Sequence, residues 1–309
     1  MDGRSQNIGK VEAFKLPPQP GPVELVRGRV YSLPLVYELD GYESTHPPSA
    51  RGFGAINCSL LREGDHGLLL DTGLPVHEET LFSHIDEVMG EDAHLSVVVA
   101  RTSELLSCGN LPALIERYSI HTVYAIFLTD LEFIMNDVRP RSVRGNRAAR
   151  ERPTVQTISA NSKLKIDADG TRHVDVVRPV LRLLSQFWLY DSSTLTLMPG
   201  EIFGYLWRQT SQGPWCVDEA SDSEVSAEEV ADFLASTRYW WLCGADTDGI
   251  RRSLTKLFER LPVENIVSSV GCVLKGRAVV ERHVEILVEA IALLARRPKE
   301  SVVRLAAGR

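Results

Sequence analysis

Val97-Val98-Val99-Ala100-Arg101-Thr102-Ser103-Glu104-Leu105-Leu106-Ser107-Cys108-Gly109-Asn110-Leu111 is the stretch whose reading decides the fold. Its β-branched start reads as a short buried strand. A polar loop follows, and Gly109-Asn110 opens the apolar-periodic segment Leu111-Pro112-Ala113-Leu114-Ile115, which reads as a helix. A strand that hands a loop to a helix N-terminus is a usual place for a site in an α/β protein.

Working toward the N-terminus, residues 78–89 place Leu81, Ile85 and Met89 on one helical face. Gly67-Leu68-Leu69-Leu70 reads as a strand that ends in Asp71-Thr72-Gly73, a tight exit in which glycine permits backbone angles closed to other residues. Residues 55–61 read as its partner strand across a Gly64-Asp65 turn, and residues 23–36 alternate apolar and polar as a half-buried strand does. The Pro-rich residues 1–22 read as an extended lead-in.

Working toward the C-terminus, residues 110–118 continue as a helix, and residues 121–128, 155–166 and 173–180 read as strands. Arg182-Leu183-Leu184-Ser185-Gln186-Phe187-Trp188-Leu189-Tyr190 comes next, and Thr194-Leu195-Thr196-Leu197-Met198-Pro199-Gly200-Glu201-Ile202-Phe203-Gly204 is a strand with its exit turn. Ser226-Ala227-Glu228-Glu229 has the form of a capping box. Ile250, Leu254, Leu257 and Leu261 form an amphipathic face, residues 263–268 lead into Ser269-Val270-Gly271, and residues 280–294 read as a long terminal helix.

In this order the pieces resemble the metallo-β-lactamase superfamily, most closely its flavodiiron branch. There the central loop runs Asn-His-x-Glu-x-Asp-His-Ser-Gly before a helix that begins with Leu. Aligned through Gly109, Thr102 falls on the first His, Glu104 on the Glu, Leu106 on the Asp and Ser107 on the last His. Arg182 falls on the His of a Thr-Pro segment, Glu201 on a bridging Asp that precedes Phe-Gly, and Val270 on the His of Pro-x-His-Gly. Tyr190, Phe203 and Gly204 are as the family has them. The resemblance implies an α/β chain built as an αβ/βα sandwich, two packed mixed β-sheets flanked by helices. It would span residues 23–292, between the lead-in at 1–22 and a basic tail at 293–309.

A dinuclear centre in this fold needs about seven ligands, mostly His and carboxylate. Only Glu104 and Glu201 keep a carboxylate at the matching positions. The expectation is therefore a degenerate site with no cofactor: no diiron centre, and no FMN domain after it. Glu104, Arg182 and Glu201, with Asp71 and Cys108 beside them, are expected to form a charge cluster or a pocket for a small anionic ligand, Arg182 standing in for the metal cations. A thiol site on Cys108, with Ser107 and Cys272 near it, is the alternative. The eight histidines, without H-x-H or H-x-x-x-H spacing, read as surface or turn residues.

Composition sets the outer bounds. The 309 residues are 44% hydrophobic and 24% charged, as in an ordinary globular protein. A net charge of -7 gives no global attraction to nucleic acid or an anionic membrane. No apolar run could span a bilayer and no secretory signal opens the chain, and the five scattered cysteines fit free thiols in a cytoplasm. Residues 139–152 hold six arginines, and residues 218–232 are acidic without a basic residue. Opposite loops of this kind suit a homodimer or a protein partner. The role expected is that of a pseudoenzyme that binds, senses or scaffolds. The alternatives are a working metal-dependent oxidoreductase or hydrolase with a non-standard site, and a non-catalytic subunit of an intact homologue.

Overall fold

A computed structural model describes residues 15–91, 93–101, 104–126, 153–167, 169–181, 183, 186–219 and 224–298. Two seven-stranded mixed sheets face one another. In the first, strands follow chain order: β1 (Val23–Val26), β2 (Val30–Leu39), β3 (Gly52–Glu63), β4 (His66–Leu70), β5 (His94–Val99), β6 (Ser119–Ala125) and β7 (Thr154–Thr157). The β1–β4 part is antiparallel and β4–β7 is parallel. Parallel strands are covered on both faces, which is why Val97, Val98 and Val99 are all fully buried in an unbroken apolar run.

The second sheet runs β12-β14-β13-β11-β10-β9-β8. Its strands are β8 (Lys163–Lys165), β9 (His173–Val177), β10 (Trp188–Asp191), β11 (Thr196–Met198), β12 (Cys216–Val217), β13 (Asn265–Ile266) and β14 (Val273–Lys275). Leu61, Leu68, Leu70 and Val98 from the first sheet meet Val174, Val176, Leu189 and Met198 from the second in one apolar layer. The outer face of the first sheet packs on α1 (Glu78–Met89) and α3 (Leu111–Arg117), which follows the short turn α2 (Leu105–Cys108). The outer face of the second packs on α4 (Ala227–Ser236), α5 (Asp248–Arg260) and α6 (Arg277–Arg296). The expected sandwich is what the chain forms.

The elements differ from the sequence reading in informative ways. Residues 23–36 are two strands, because Arg27-Gly28-Arg29 turns the chain with Gly28 at φ 69°. Residues 155–166 are also two strands, β7 closing the first sheet and β8 opening the second. Part of the lead-in is pinned: Gln19 Nε2 donates to Val36 O at 2.9 Å and Gln19 Oε1 accepts from Val36 N at 2.8 Å. The capping box forms, with Glu229 N–H donating to Ser226 Oγ and Ser226 N–H to Glu229 Oε2. Four histidines expected at the surface (His46, His77, His84 and His283) are buried. His283 Nδ1 lies 2.9 Å from the Tyr205 hydroxyl, so a core ring with one polar partner satisfies the burial.

Candidate functional site: a buried carboxylate–guanidinium cluster

The C-terminal ends of β4 and β5 lie side by side, so Asp71 and Arg101 leave adjacent strands at one end of the sandwich. Asp71 takes φ 62°, a left-handed angle that Asp tolerates better than most residues. Its Oδ1 accepts from the Ser107 hydroxyl and from Ala100 N–H at 3.1 Å, while Ser107 Oγ accepts from Arg101 N–H at 3.1 Å. Asn110 Nδ2 donates to Thr72 O at 2.7 Å and Leu74 O at 2.9 Å. These bonds lace the Asp-Thr-Gly exit to the central loop.

Into this frame Arg101 projects a guanidinium with only 2% exposure. Its Nη1 donates to Glu201 Oε1 and lies 2.9 Å from Glu104 Oε2, and its Nη2 is 3.5 Å from Asp71 Oδ2. A second cation closes the cluster from the α4 side. Arg238 Nη1 lies 3.0 Å from Glu201 Oε1, and Arg238 Nη2 donates to Glu104 Oε1. Three carboxylates thus share two guanidinium forks, the geometry in which arginine is strongest.

Burial alone would raise the Glu104 carboxyl, but the hydrogen bond from Arg238 and the charges of both arginines outweigh it and hold it below the usual range. Burial dominates at Asp71 and pushes it up in spite of Arg101 and Ser107. Burial also works against the Arg101 charge, yet Glu201, Asp71 and Glu104 together hold that guanidinium above its usual value. The signs give a pH expectation. The depressed Glu104 contributes stability that is present above the unfolded carboxylate range of about 4 and is lost as pH falls through its folded value. Asp71, raised, acts oppositely, taking up a proton more readily folded than unfolded. Glu104→Gln should therefore flatten the loss of melting temperature between about pH 5 and pH 3. An unchanged slope would show that the carboxylate is not held by these cations.

Of the sequence candidates, Glu104, Glu201, Asp71 and Ser107 meet here. Thr102 and Arg182 lie outside the described residues, as does the 139–152 segment. The cations that meet Glu104 and Glu201 are Arg101 and Arg238, to which the sequence reading gave no role. The signal for Arg101 was there: a charged residue directly after a buried apolar run, three residues before Glu104. Leu106 is partly buried against the first-sheet core, and Val270, 1% exposed, pairs with Ile56 in a bridge that ties the sheets. The thiol reading is corrected. Cys108 is buried and its Sγ–H donates to Glu104 O at 3.2 Å, while burial pushes the Cys272 thiol up to about 12.

At the positions that the resemblance assigns to ligands, the donors among the described residues do not suit a pair of metal ions. Leu106 and Val270 have no donor atom, Ser107 is committed to Asp71, and Glu104 and Glu201 are held by guanidinium groups. Among the described residues no three His, Cys, Asp or Glu side chains group as ligands would.

No family model matches the sequence, and no curated protein matches it. Solved structures do. Rubredoxin oxygen:oxidoreductase from Desulfovibrio gigas aligns with TM-score 0.62 at 17% identity, over 88% of this chain and 61% of that one. The flavodiiron protein from Giardia intestinalis aligns at 0.57 and 16%, over 89% and 60%. A metallo-β-lactamase from Pontibacter korlensis aligns at 0.51 and 14%, over 87% and 99%. The chain therefore spans about three fifths of the length of the flavodiiron structures. These likenesses establish the metallo-β-lactamase fold of flavodiiron type. They also correct the expectation of no cofactor. The Giardia neighbour is a flavodiiron protein and the Pontibacter neighbour a metallo-β-lactamase by name, and the donors weighed above are only those at the positions the resemblance assigns.

Proposed function

We propose that this chain, built on the flavodiiron-type metallo-β-lactamase fold, is a pseudoenzyme with a binding or scaffolding role. The observation that carries the reading is the commitment of both surviving carboxylates, Glu104 and Glu201, to Arg101 and Arg238. A carboxylate locked in a buried ion pair is a poor ligand and a poor base, because either task requires breaking a pair whose partner then stays buried and unpaired. Protein purified in the presence of added Fe(II), Mn(II) or Zn(II) should consume neither O2 nor NO, and should leave a chromogenic β-lactam intact. Turnover with any of these metals would overturn the reading in favour of a metal-dependent oxidoreductase or hydrolase with a non-standard site, which the metal-bearing neighbours in fold favour.

We further propose that the chain forms a homodimer. Trp240 and Trp241 are 54% and 41% exposed and Leu105 is 58% exposed, so large apolar side chains stand on the surface beside Arg238 and Glu104. Sedimentation at rising salt reads both the assembly and its nature. A dimer that persists at about 0.5 M salt indicates an apolar contact of this kind, and one that weakens indicates pairing of the arginine-rich and acidic segments. A monomer at every salt concentration would refute self-association. No helix among the described residues is long and apolar enough to cross a membrane.

A further inference from the structure

The strands that carry the cluster at their C-terminal ends carry a second group of titratable residues at the other. His66 opens β4, His94 opens β5, and His121 lies near the start of β6. Strands of this length separate the two ends by about 17 Å. His121 owes its position to a break in register. Leu95 pairs with Ile120 and Ser96 with Thr122, so His121 is an extra residue on β6. Such bulges re-aim a side chain. Here the three rings form a triangle, with centroids 5.4 Å apart for His66–His94 and for His94–His121, 6.5 Å for His66–His121, and planes within 16–22°.

Opposite these rings stands β8 of the second sheet. Lys163 and Lys165 line the same cleft, about 410 Å³ in volume, together with the neutral donors Ser96, Thr122 and Gln156. The acids nearby are already committed. Asp65, in the β3–β4 turn, binds His66 Nδ1 at 2.7 Å, and that bond, with weaker pulls from the charges of His66 and His94, holds its carboxyl below the usual range. Asp167 accepts from Thr171 and from Arg172 N–H within its own turn. Asp175 on β9 is shared between Lys163 at 3.9 Å and His173 at 3.8 Å, and His173 Nε2 also lies 2.9 Å from Lys163 Nζ. Tyr124 faces the cleft from β6, its phenol raised by burial and therefore neutral. Lys165 and His121 meet no carboxylate in an ion pair among the described residues.

We propose that this cleft is a second binding site, for a polyvalent oxyanion of the phosphate or sulfate class, and that binding takes up protons on the histidine cluster. Hydrogen-bonded at 3.2 Å, His94 Nδ1 and His121 Nε2 need one ring to donate and the other to accept, so the pair holds at most one full imidazolium. An anion seated between these rings and the lysines supplies the acceptors and the charge that let both rings protonate. A metal ion fits less well. Two ammonium groups line the cleft and repel a cation, and among the described residues no three His, Cys, Asp or Glu side chains group as ligands would.

Isothermal titration with sodium sulfate tests the proposal, because the charge of sulfate is constant where histidine titrates. The dissociation constant should be about tenfold lower near pH 6 than near pH 8, with a heat that varies with buffer ionisation as protons are taken up. Lys165→Gln should weaken binding at both values, and the double variant His94→Asn, His121→Asn should flatten the pH dependence. All three positions are at least partly exposed, so circular dichroism should match the native chain. Titration with inorganic phosphate and with glycerol 3-phosphate then separates a free anion from a phosphorylated small molecule. Sulfate binding that ignores pH, or that survives Lys165→Gln unchanged, would overturn the proposal. So would Zn(II) binding that depends on His94 where sulfate gives no heat.

Discussion

Arg101→Met should cost about 3–5 kcal/mol of stability, because it leaves Glu201, Asp71 and Glu104 facing one another in a dry site with one cation lost. In a chain of this size that is a fall in melting temperature of about 5–8 °C. Three comparisons make the measurement diagnostic. Arg238→Met should fall less, since that side chain is 22% exposed and water can reach the carboxylates it leaves. Arg101→Lys should recover part of the loss, as an ammonium restores the charge without the fork. Arg101→Met combined with Glu104→Leu and Glu201→Leu should be milder than Arg101→Met alone, because an apolar cluster pays no desolvation. Equal melting temperatures for the native chain and Arg101→Met would mean that the cluster does not hold this end of the sandwich together.

Gly271→Ala should destabilise by on the order of 3 kcal/mol. Gly271 sits at φ 78°, and a methyl group there would lie 2.7 Å from Leu206 O and 2.8 Å from Gly204 O. Both obstacles are backbone, so no side-chain rotation relieves them. The segment it would displace is the seam between the sheets: Asn57 Nδ2 donates to Ser268 O and Gly271 O at 2.8 Å each, and Val270 bridges to Ile56. Denaturant unfolding of the variant checks this directly. A loss under about 1 kcal/mol would mean that the turn relaxes and that the glycine is not required beside Val270.

Much of the frame was legible because it is written in local chemistry. The run at Val97, Val98 and Val99, the Asp71-Thr72-Gly73 exit, the spacing of Leu81, Ile85 and Met89, and the Ser226–Glu229 cap each specify one short element with its ends, and each formed as read. Gly73 and Gly271 were legible too, since their left-handed angles, φ 68° and 78°, leave few choices of residue. Strand ownership was less so. Residues 155–166 read as one strand, and only the packing of two sheets makes β7 and β8 belong to different ones.

The sequence by itself determined the fold, because the fold depends on which residue types stand at which spacing; it did not say what fills the end of the sandwich where β4 and β5 stop. What fills the space was decided by the tertiary structure alone. Arg101 and Arg238 are 137 positions apart and acquire a shared task only when α4 and its exit turn are laid over the end of β5. His66, His94 and His121 have no motif spacing, and parallel pairing with one displaced residue brings them together. A guanidinium on the surface and a guanidinium among three buried carboxylates are the same letter in a sequence. Burial, and the distance to the nearest opposite charge, make them different chemistry.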